Sequence, residues 1–370
     1  MRCVLVLLLA LVVRGACGAD ETIRISFEEP VRVARGAYGR VHAIGRGRYA
    51  LVYEAGGVQF RTSSDGCRTW SEPVRAVPIR TFGEGDRRVE VYPANPEVQA
   101  LAGGRLLVAY NGRPSRGRAD LHPYEIGVVT SDDGGRTWSD PQVVYAATNV
   151  ADGVMRGCYE PNLLARDGRL RLFFADESPY VDGRHKFQNI SVVETRDRGR
   201  TWSAAKPFCY TPRARDGMPV AARIGAHTYV AIEANGDGTL LHPEIVRDDG
   251  VRMEPLLAPK NWREVYAGAP YLAATANFIL LSYQSSEGSA ARNERYSSCE
   301  VVAMPRQEMR KGRLDRFRGA ARPIAVDQTR DAALWNALCP LDGDTFLVVS
   351  QHRGEIVLTR GRVTQAKTGR

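Results

Sequence analysis

An octapeptide that occurs three times constrains this chain more than any other feature of its sequence. The three copies are SSDGCRTW at 63–70, SDDGGRTW at 131–138 and TRDRGRTW at 195–202. All share an Asp in third place and end in Arg-Thr-Trp, and two have Gly in fifth place, where the first has Cys67. Repetition at near-constant spacing indicates an array of similar structural units.

The octapeptide has the chemistry of a turn between two strands. Its Asp can accept hydrogen bonds from N–H groups of its own turn, and its Gly supplies the positive φ that the turn needs. The Trp begins the returning strand, where its indole can fold back over the turn. Strand-like runs precede the copies, for example 126–130 and 190–194. We therefore expect Asp65, Asp133 and Asp197 to be structural residues.

The octapeptide resembles the Asp-box, or BNR repeat, of sialidases and related glycosidases, which joins the two outer strands of a propeller blade. The resemblance implies an all-β fold. A second pattern supports a six-bladed β-propeller, because an inner segment, a short turn and a strongly apolar strand recur six times. The apolar strands are predicted at 49–54, 103–110, 168–175, 228–233, 278–283 and 345–350. Residues 21–30 are expected to add the outer strand of the last blade and close the ring.

The first residues predict a secretory signal peptide at 1–19. A short positive start at 1–2 precedes an uninterrupted apolar run at 3–13, and small residues at 15–19 suit cleavage. The apolar run is too short to cross a bilayer, which takes about 20 residues.

The remainder, 20–370, is expected to be a single propeller domain that is secreted or periplasmic. We expect a monomer without an integral membrane segment, because no later run reaches the about 20 apolar residues that a span needs. Lipid attachment at Cys17 is a less favoured alternative, since Arg14 stands where a lipoprotein signal needs an apolar residue.

Charge and cysteine usage exclude several other functions. The 51 basic and 42 acidic residues give a net charge of +9, but the basic ones are scattered along the chain. Nucleic-acid binding needs a localised basic patch, so no nucleic-acid partner is expected. The cysteines lie far apart, so a disulfide framework is not expected, although a single Cys158–Cys209 pair stays open. Cys and His residues lack ligand spacing, so no metal and no cofactor is expected.

A propeller places its candidate chemistry on one rim. In each blade the first strand starts at one face of the disc and the second strand returns to end there, so these positions surround the axis. The starts supply Asn95, Glu160, Asp216, Trp335 and Asn336, the ends supply Asn111, Asp176, Glu177, Glu233 and Gln284, and Tyr92, Tyr159, Tyr271 and His352 lie nearby.

Glu160 and Glu233 are the strongest catalytic candidates on this rim. Each adjoins apolar strand residues, where desolvation raises the pKa of a carboxyl group unless it is paired. Glycoside hydrolysis needs two carboxyl groups in unequal environments, one protonated and one charged. The alternative is that either Glu forms a salt bridge with an arginine such as Arg156 or Arg215. Asp216 is expected to orient a partner or to bind sugar hydroxyls.

Several short motifs, in this order, resemble the exo-α-1,5-L-arabinanase family of glycoside hydrolases. They are NP at 95–96, GCYEPNL at 157–163, FQN at 187–189, RDGM at 215–218, the strand end at Glu233, AGAP at 267–270 and WN at 335–336. The resemblance implies a retaining enzyme with Glu160 as general acid/base and Glu233 as nucleophile. Tyr159 departs from the Trp expected before Glu-Pro, which bears on the sugar subsite. The expected substrate-binding residues are Asn95, Tyr159, Glu177, Arg215, Asp216, Tyr271, Trp335 and Asn336.

The sequence thus predicts a secreted retaining exo-glycosidase acting on a polysaccharide or oligosaccharide, most like an arabinan. An exo-α-sialidase is one alternative. It would need three Arg side chains at the channel mouth with a Tyr–Glu pair, and its Arg-Ile-Pro motif is absent from the corresponding region, RVEVYPANP at 88–96. A non-catalytic glycan-binding propeller is the other alternative.

Overall fold

Six antiparallel sheets form the blades of a propeller, which confirms the predicted all-β fold. The computed structural model describes residues 21–147, 156–178, 187–236, 240–255 and 264–367. The predicted leader at 1–19, with Cys17, lies outside these residues. Among the described residues the one α-helix is α1 (Arg306–Arg310), and no helix is long and apolar enough to span a bilayer.

The first three blades each run outward from an innermost strand. Blade one comprises β3 (Ala37–Gly45), β4 (Arg48–Glu54), β5 (Val58–Ser63) and β6 (Val74–Val77). Blade two comprises β8 (Val89–Ala100), β9 (Leu106–Pro114), β10 (Glu125–Ser131) and β11 (Gln142–Ala146), with β7 (Arg80–Phe82) on the free edge of β8. Blade three comprises β12 (Cys158–Arg166), β13 (Arg169–Asp176), β14 (Asn189–Thr195) and β15 (Lys206–Cys209).

The last three blades repeat this order. Blade four comprises β16 (Asp216–Ile224), β17 (His227–Ala234), β18 (His242–Arg247) and β19 (Arg252–Met253). Blade five comprises β20 (Ala267–Ala274), β21 (Phe278–Ser285), β22 (Ser298–Pro305) and β23 (Arg318–Ala321). Blade six comprises β24 (Ala333–Pro340), β25 (Thr345–His352), β26 (Glu355–Lys367) and β1 (Glu21–Phe27), and β2 (Val31–Arg35) also pairs with β26.

The two ends of the described chain close the ring together in blade six. β1 runs antiparallel to β26, from Glu21 opposite Lys367 to Phe27 opposite Gly361. This pairing confirms the closing strand predicted within 21–30. Because the first and last strands share one sheet, the seam between the first and last blades is held by a hydrogen-bonded ladder.

Apolar layers between neighbouring blades form the core. β21 is buried along its whole length, and the second strands of the other blades are buried almost as completely. Phe60 of blade one packs in one cluster with Leu106 and Val108 of blade two. A sheet covered on both faces needs such continuous apolar runs, and the six predicted apolar strands coincide with β4, β9, β13, β17, β21 and β25.

The three octapeptides form the turns between third and fourth strands, as predicted. In the second copy, Asp133 accepts hydrogen bonds from Thr137 Oγ1 at 2.6 Å and from Ser131 Oγ at 2.8 Å. The N–H groups of Arg136 and Thr137 donate to the same carboxylate. The side-chain bond from Thr137 is the largest of several causes that hold the pKa of Asp133 well below its usual range. In the first copy Cys67 adopts a φ of 69°, the left-handed conformation of the glycines in the others.

The open Cys158–Cys209 pairing is wrong. All five described cysteines are free thiols. Cys158 begins the innermost strand of blade three and Cys209 ends the outermost one. With strands about 4.8 Å apart, this separation far exceeds the reach of a disulfide.

Candidate active site

Six residues in a left-handed backbone conformation mark the hub of the propeller. Each innermost strand has a β-bulge, and a non-glycine residue in the bulge has a φ between 46° and 57°. In blade order these bulge residues are Tyr38, Asn95, Glu160, Met218, Ala269 and Trp335. Such strained positions persist only where the surroundings stabilise them, and they cluster at functional sites.

The bulge residues divide the hub into an apolar and a polar arc. Those of blades one, four, five and six pack together in one apolar cluster, in which the ring centres of Tyr38 and Trp335 lie 6.1 Å apart. Since non-adjacent blades meet only around the axis, this cluster places the bulges at the hub. The polar arc consists of Asn95 in blade two and Glu160 in blade three.

Glu233, at the end of β17, is held by an ion pair and two hydrogen bonds. Arg215 donates from Nε to Glu233 Oε1 at 3.1 Å, and its Nη2 lies 2.9 Å from the same oxygen. The N–H of Ala269 donates to Oε2 at 2.8 Å. The Glu233 side chain is buried, and a buried carboxylate needs this pairing to stay charged. The salt bridge to Arg215 that the sequence left open is therefore present at Glu233.

Glu160 lies in the electrostatic field of the same ion pair. It is half-buried, and its Oε2 accepts a hydrogen bond from the N–H of Met218 at 3.0 Å. Burial raises the pKa of Glu160 above its ordinary value; the Arg215 guanidinium opposes the rise, and the charge of Glu233 adds to it. The structure thus brings Glu160 and Glu233 to one guanidinium but gives them unequal surroundings.

A repeated hydrogen bond positions both carboxylates. Each accepts from the bulge N–H of the following blade. The same contact recurs where Glu54 accepts from the N–H of Asn95 at 2.7 Å and where Gln284 accepts from the N–H of Trp335 at 2.9 Å. A bulge removes a donor from the strand ladder, so these side chains satisfy donors that would otherwise be buried without a partner.

Tyr266, just before β20, flanks Glu233 and was not predicted. A Cβ built on Gly268 would lie 2.2 Å from Tyr266 Oη and 2.5 Å from Glu233 Oε2, so both groups close around the Cα of this glycine. Burial and the charge of Glu233 raise the pKa of the Tyr266 phenol. The AGAP motif at 267–270 therefore supplies both an N–H donor and the space in which Glu233 packs.

Arg113, in β9, is a second cation at the hub and was also not predicted. It donates from Nε to Asn111 Oδ1 at 2.6 Å and from Nη2 to Asn95 Oδ1. Its guanidinium lies 5.7 Å from the ring centre of Tyr159 and lowers the pKa of Glu160. The Arg113 side chain therefore connects Asn95 and Tyr159 with the region of Glu160 and Glu233.

Two of the predicted binding residues, Asp216 and Glu177, form hydrogen bonds with protein groups other than Glu160 and Glu233. Both oxygens of Asp216 accept from Arg252 of the outer strand β19, at 2.9 and 3.0 Å. That Asp216 orients a partner or binds sugar hydroxyls stays a prediction. Glu177 accepts from the N–H of Gly157 at 2.8 Å and from Gln188 Nε2 at 3.2 Å. It therefore supports the segment that leads into Glu160.

The remaining predicted residues lie along the inner strands of blades five and six. Trp335 lies in the apolar arc. Asn336 is buried within blade six, where it donates to the carbonyl of Ala333 at 3.2 Å. Tyr271 lies two residues beyond the bulge of β20, deeper in the channel, with its Oη 3.4 Å from His42 Nε2. That Asn336 or Tyr271 binds substrate stays a prediction.

A possible metal-ligand group occurs in blade four, away from the hub. Ligand atoms of His242, Glu244 and Glu254 lie within 4.8 Å of one another. The Arg252 guanidinium lies 2.7 Å from Glu244 Oε2, so a metal ion would have to compete with this arginine for the Glu244 carboxylate.

A family model and a curated protein match parts of the chain. Residues 104–267 match the BNR repeat-like domain. Sialidase B from Streptococcus pneumoniae is 24% identical over 188 residues, which is 49% of this chain and 25% of that protein. The chain therefore matches only about a quarter of the length of this relative.

Solved propeller structures match nearly the whole chain in fold. The α-L-arabinofuranosidase of Fusarium graminearum, in complex with arabinobiose, has a TM-score of 0.60 and 16% identity, covering 92% of this chain and 98% of that one. The α-L-arabinanase of Penicillium chrysogenum, also complexed with arabinobiose, has a TM-score of 0.63 and 16% identity, covering 91% and 98%. The sialidase of Trypanosoma rangeli has a TM-score of 0.57 and 11% identity, covering 91% and 58%. The chain is thus a six-bladed propeller with a match to the BNR repeat-like domain, and its fold is like that of the arabinanases.

Proposed function

We propose that this chain is a secreted, retaining exo-glycosidase that acts on an arabinan-type polysaccharide through one propeller domain at 20–370. One observation supports this most strongly: Glu233 is ion-paired with Arg215, and the charges of both act on Glu160, whose Oε2 accepts from the N–H of Met218 in the same motif. Retaining glycosidases use two such carboxyl groups, an acid and a nucleophile.

The surroundings of each carboxyl group match one role. Glu160, protonated, donates its proton to the glycosidic oxygen as the leaving group departs. Glu233, charged, attacks the anomeric carbon and forms a covalent glycosyl–enzyme bond. Glu160, now ionised, then removes a proton from a water molecule whose oxygen attacks the anomeric carbon, so that the Glu233 carboxylate departs and both groups are restored.

A neutral sugar of modest size suits the hub. The arginines around it, Arg40, Arg113 and Arg215, all donate to protein acceptors. The arabinobiose bound by two proteins of similar fold favours a pentose.

An exo-α-sialidase is the second candidate, and the match to sialidase B favours it. Tyr266 beside Glu233 supplies the Tyr–Glu pair that such an enzyme would need. Gripping a sugar carboxylate, however, would require arginines that are free to turn toward it. Arg40 is buried and bound to the carbonyls of Gly39 and Trp335, so we rank this function lower.

A product assay on debranched arabinan and sialyllactose tests the proposal. We expect arabinose from the first substrate and no sialic acid from the second. Proton NMR of the first product should show the anomeric configuration of the substrate. Release of sialic acid would replace the proposal with a sialidase, and binding without any hydrolysis would indicate a non-catalytic glycan-binding propeller.

The roles of the two carboxyl groups are tested by Glu160→Gln and Glu233→Gln. Each should lower kcat by about 1,000-fold or more while the protein stays folded, because an amide neither donates a proton nor attacks as a carboxylate does. Glu54→Gln is the matched control, since Glu54 also holds a bulge N–H but has no assigned chemistry. Loss of kcat in Glu54→Gln as large as in Glu233→Gln would reduce Glu233 to a structural residue.

A further inference from the structure

Blade two rises above the rim, unlike its neighbours. Its innermost strand β8 has 12 residues, whereas the innermost strands of the other blades have eight or nine. The extra length precedes the hub bulge at Asn95 and is paired to β7 on one side and to the end of β9 on the other. We call this raised part, residues 80–82, 89–93 and 112–114, the blade-two wall.

The two faces of the wall are covered differently. On one face Phe82 is stacked on the His122 ring, with centres 4.4 Å apart, and His122 contacts Glu125 at 3.1 Å. On the other face the side chain of Tyr92 is 40% exposed. Its Oη donates to Glu90 Oε2 two residues earlier, which fixes the direction of the ring. Phe82 is nearly as exposed, at 37%, but its ring already has a stacking partner, whereas no ring of the described residues stacks on Tyr92.

This uncovered face is continuous with the candidate active site. Tyr92 pairs with Arg113 across the ladder, so both side chains lie on the same face of the sheet. From this face Arg113 donates a hydrogen bond to Asn95. Its guanidinium also lies near the Tyr159 ring and acts electrostatically on Glu160. Tyr124 packs edge-on against Tyr159 at 5.4 Å and extends the aromatic surface toward blade three.

We propose that Tyr92 is a binding platform for the sugar units that follow the cleaved residue along a polysaccharide chain. This inference rests on the proposed glycosidase function and adds a second contact point for the same substrate. Tyr92 lies three residues from Asn95, about 10 Å along the strand, which is beyond the reach of a sugar held between the two carboxyl groups. An aromatic face packs on the apolar face of a sugar ring, and Glu90 and Arg113 flank it as partners for hydroxyl groups.

Kinetics on substrates of two lengths test the platform. For Tyr92→Ala, the ratio of kcat/KM on a long arabino-oligosaccharide to kcat/KM on an aryl monoglycoside should fall by about 3- to 10-fold, the size of one aromatic contact. Tyr92→Phe retains the ring and should keep most of the ratio. Val251→Ala is the control, because Val251 is 41% exposed in the turn between β18 and β19 and should leave the ratio unchanged. An unchanged ratio in Tyr92→Ala overturns the platform while the glycosidase function stands.

Affinity electrophoresis in gels containing debranched arabinan measures the same contact without catalysis. Wild type and Val251→Ala should be retarded, and Tyr92→Ala should migrate faster than both. If the wild type hydrolyses nothing yet is retarded through Tyr92, the glycosidase proposal fails and the platform stands. If arabinan retards wild type and Tyr92→Ala equally, or retards neither, the platform is wrong.

Discussion

The Arg215 guanidinium lies with Nε and Nη2 both within 3.1 Å of one oxygen of Glu233, Oε1, while the other oxygen accepts a backbone N–H. The planar guanidinium and the backbone donor together fix the carboxylate in one orientation, which a lysine ammonium cannot reproduce. Arg215→Lys should therefore lower kcat/KM by about 10- to 100-fold, with the charge retained and the geometry lost. Steady-state kinetics, with thermal unfolding measured in parallel, checks this.

Arg171→Lys is the matched control for this experiment. Arg171 donates from Nε to Glu194 at 2.8 Å and is as exposed as Arg215, at 27% against 28% of the side chain. This ion pair joins β13 to β14 without contacting Glu233, so its loss should leave kcat/KM within about twofold. Equal effects of the two substitutions would mean that the Arg215 pair matters only for folding.

Gly268 must lack a side chain for Glu233 to occupy its position. A methyl group there would overlap Tyr266 Oη and Glu233 Oε2, at 2.2 and 2.5 Å. We expect Gly268→Ala to displace the Glu233 carboxylate, the proposed nucleophile, by a fraction of an ångström or more and to lower kcat by about 100-fold. Kinetics together with far-ultraviolet circular dichroism separates this effect from misfolding.

Gly45→Ala controls for the general cost of replacing a strand glycine. The nearest atom to a Cβ at Gly45 is 4.0 Å away, so the methyl group fits without displacement. Gly45→Ala should keep the activity of the wild type. The explanation from crowding is wrong if Gly268→Ala is as active as Gly45→Ala.

Under the proposed mechanism, the pKa of Glu160 determines how activity falls in alkaline solution. As general acid, Glu160 must be protonated, so kcat/KM declines as the pH rises through its pKa, which burial raises above the ordinary value. Arg113 lowers this pKa, so removing its charge in Arg113→Met should raise it further and move the alkaline limb to higher pH. A pH profile of kcat/KM measures the shift.

The exposed Arg75 of β6 provides the comparison for this profile. Arg75→Met removes one positive charge without altering the hub, so its alkaline limb should coincide with that of the wild type. A limb that moves to lower pH in Arg113→Met, or moves equally in both variants, would contradict the assignment of Glu160 as the acid.

Most of the fold could be predicted because its signals are local. The Asp-box turns need only their own eight residues, and the second strands are apolar on both faces, so each was placed without knowing its neighbours. The short strands β2 and β7 were missed. β7, Arg80–Phe82, has no apolar pattern, and it is a strand only because the edge of β8 is long enough to pair with it.

The candidate site could be predicted for those residues whose position in the ring follows from the strand topology alone. Glu160 and Glu233 follow from the rule that strand starts and ends share a rim, and Arg215 lies in the same motif as Asp216. The side chains of those last two residues diverge, since successive residues of a strand face opposite sides. Arg215 turns to Glu233, and Asp216 turns to Arg252 in the outer strand.

Arg113 and Tyr266 could not be predicted because their contacts with Tyr159 and Glu233 cross from one blade to the next. An arginine two residues beyond Asn111 looks like any other in a chain rich in arginine. Tyr266 precedes a recognised motif but reaches Glu233 only after blades four and five have packed together. Contacts between blades depend on the completed ring, which leaves no periodic signal in the sequence.

The Asp-box glycines offer a test of how the blades pack. Gly134 and Gly135 both have positive φ, 78° and 92°, so alanine at either costs about 1–2 kcal/mol in backbone strain. A Cβ at Gly135 would lie 2.1 Å from the Phe60 ring of blade one, whereas a Cβ at Gly134 would meet nothing closer than 3.8 Å. Phe60 is buried and packed on Trp138, so it cannot move aside, and Gly135→Ala should lose a further 1–3 kcal/mol, approximately. Urea unfolding of both variants measures the difference, and equal losses would mean that the turn does not anchor blade two to blade one.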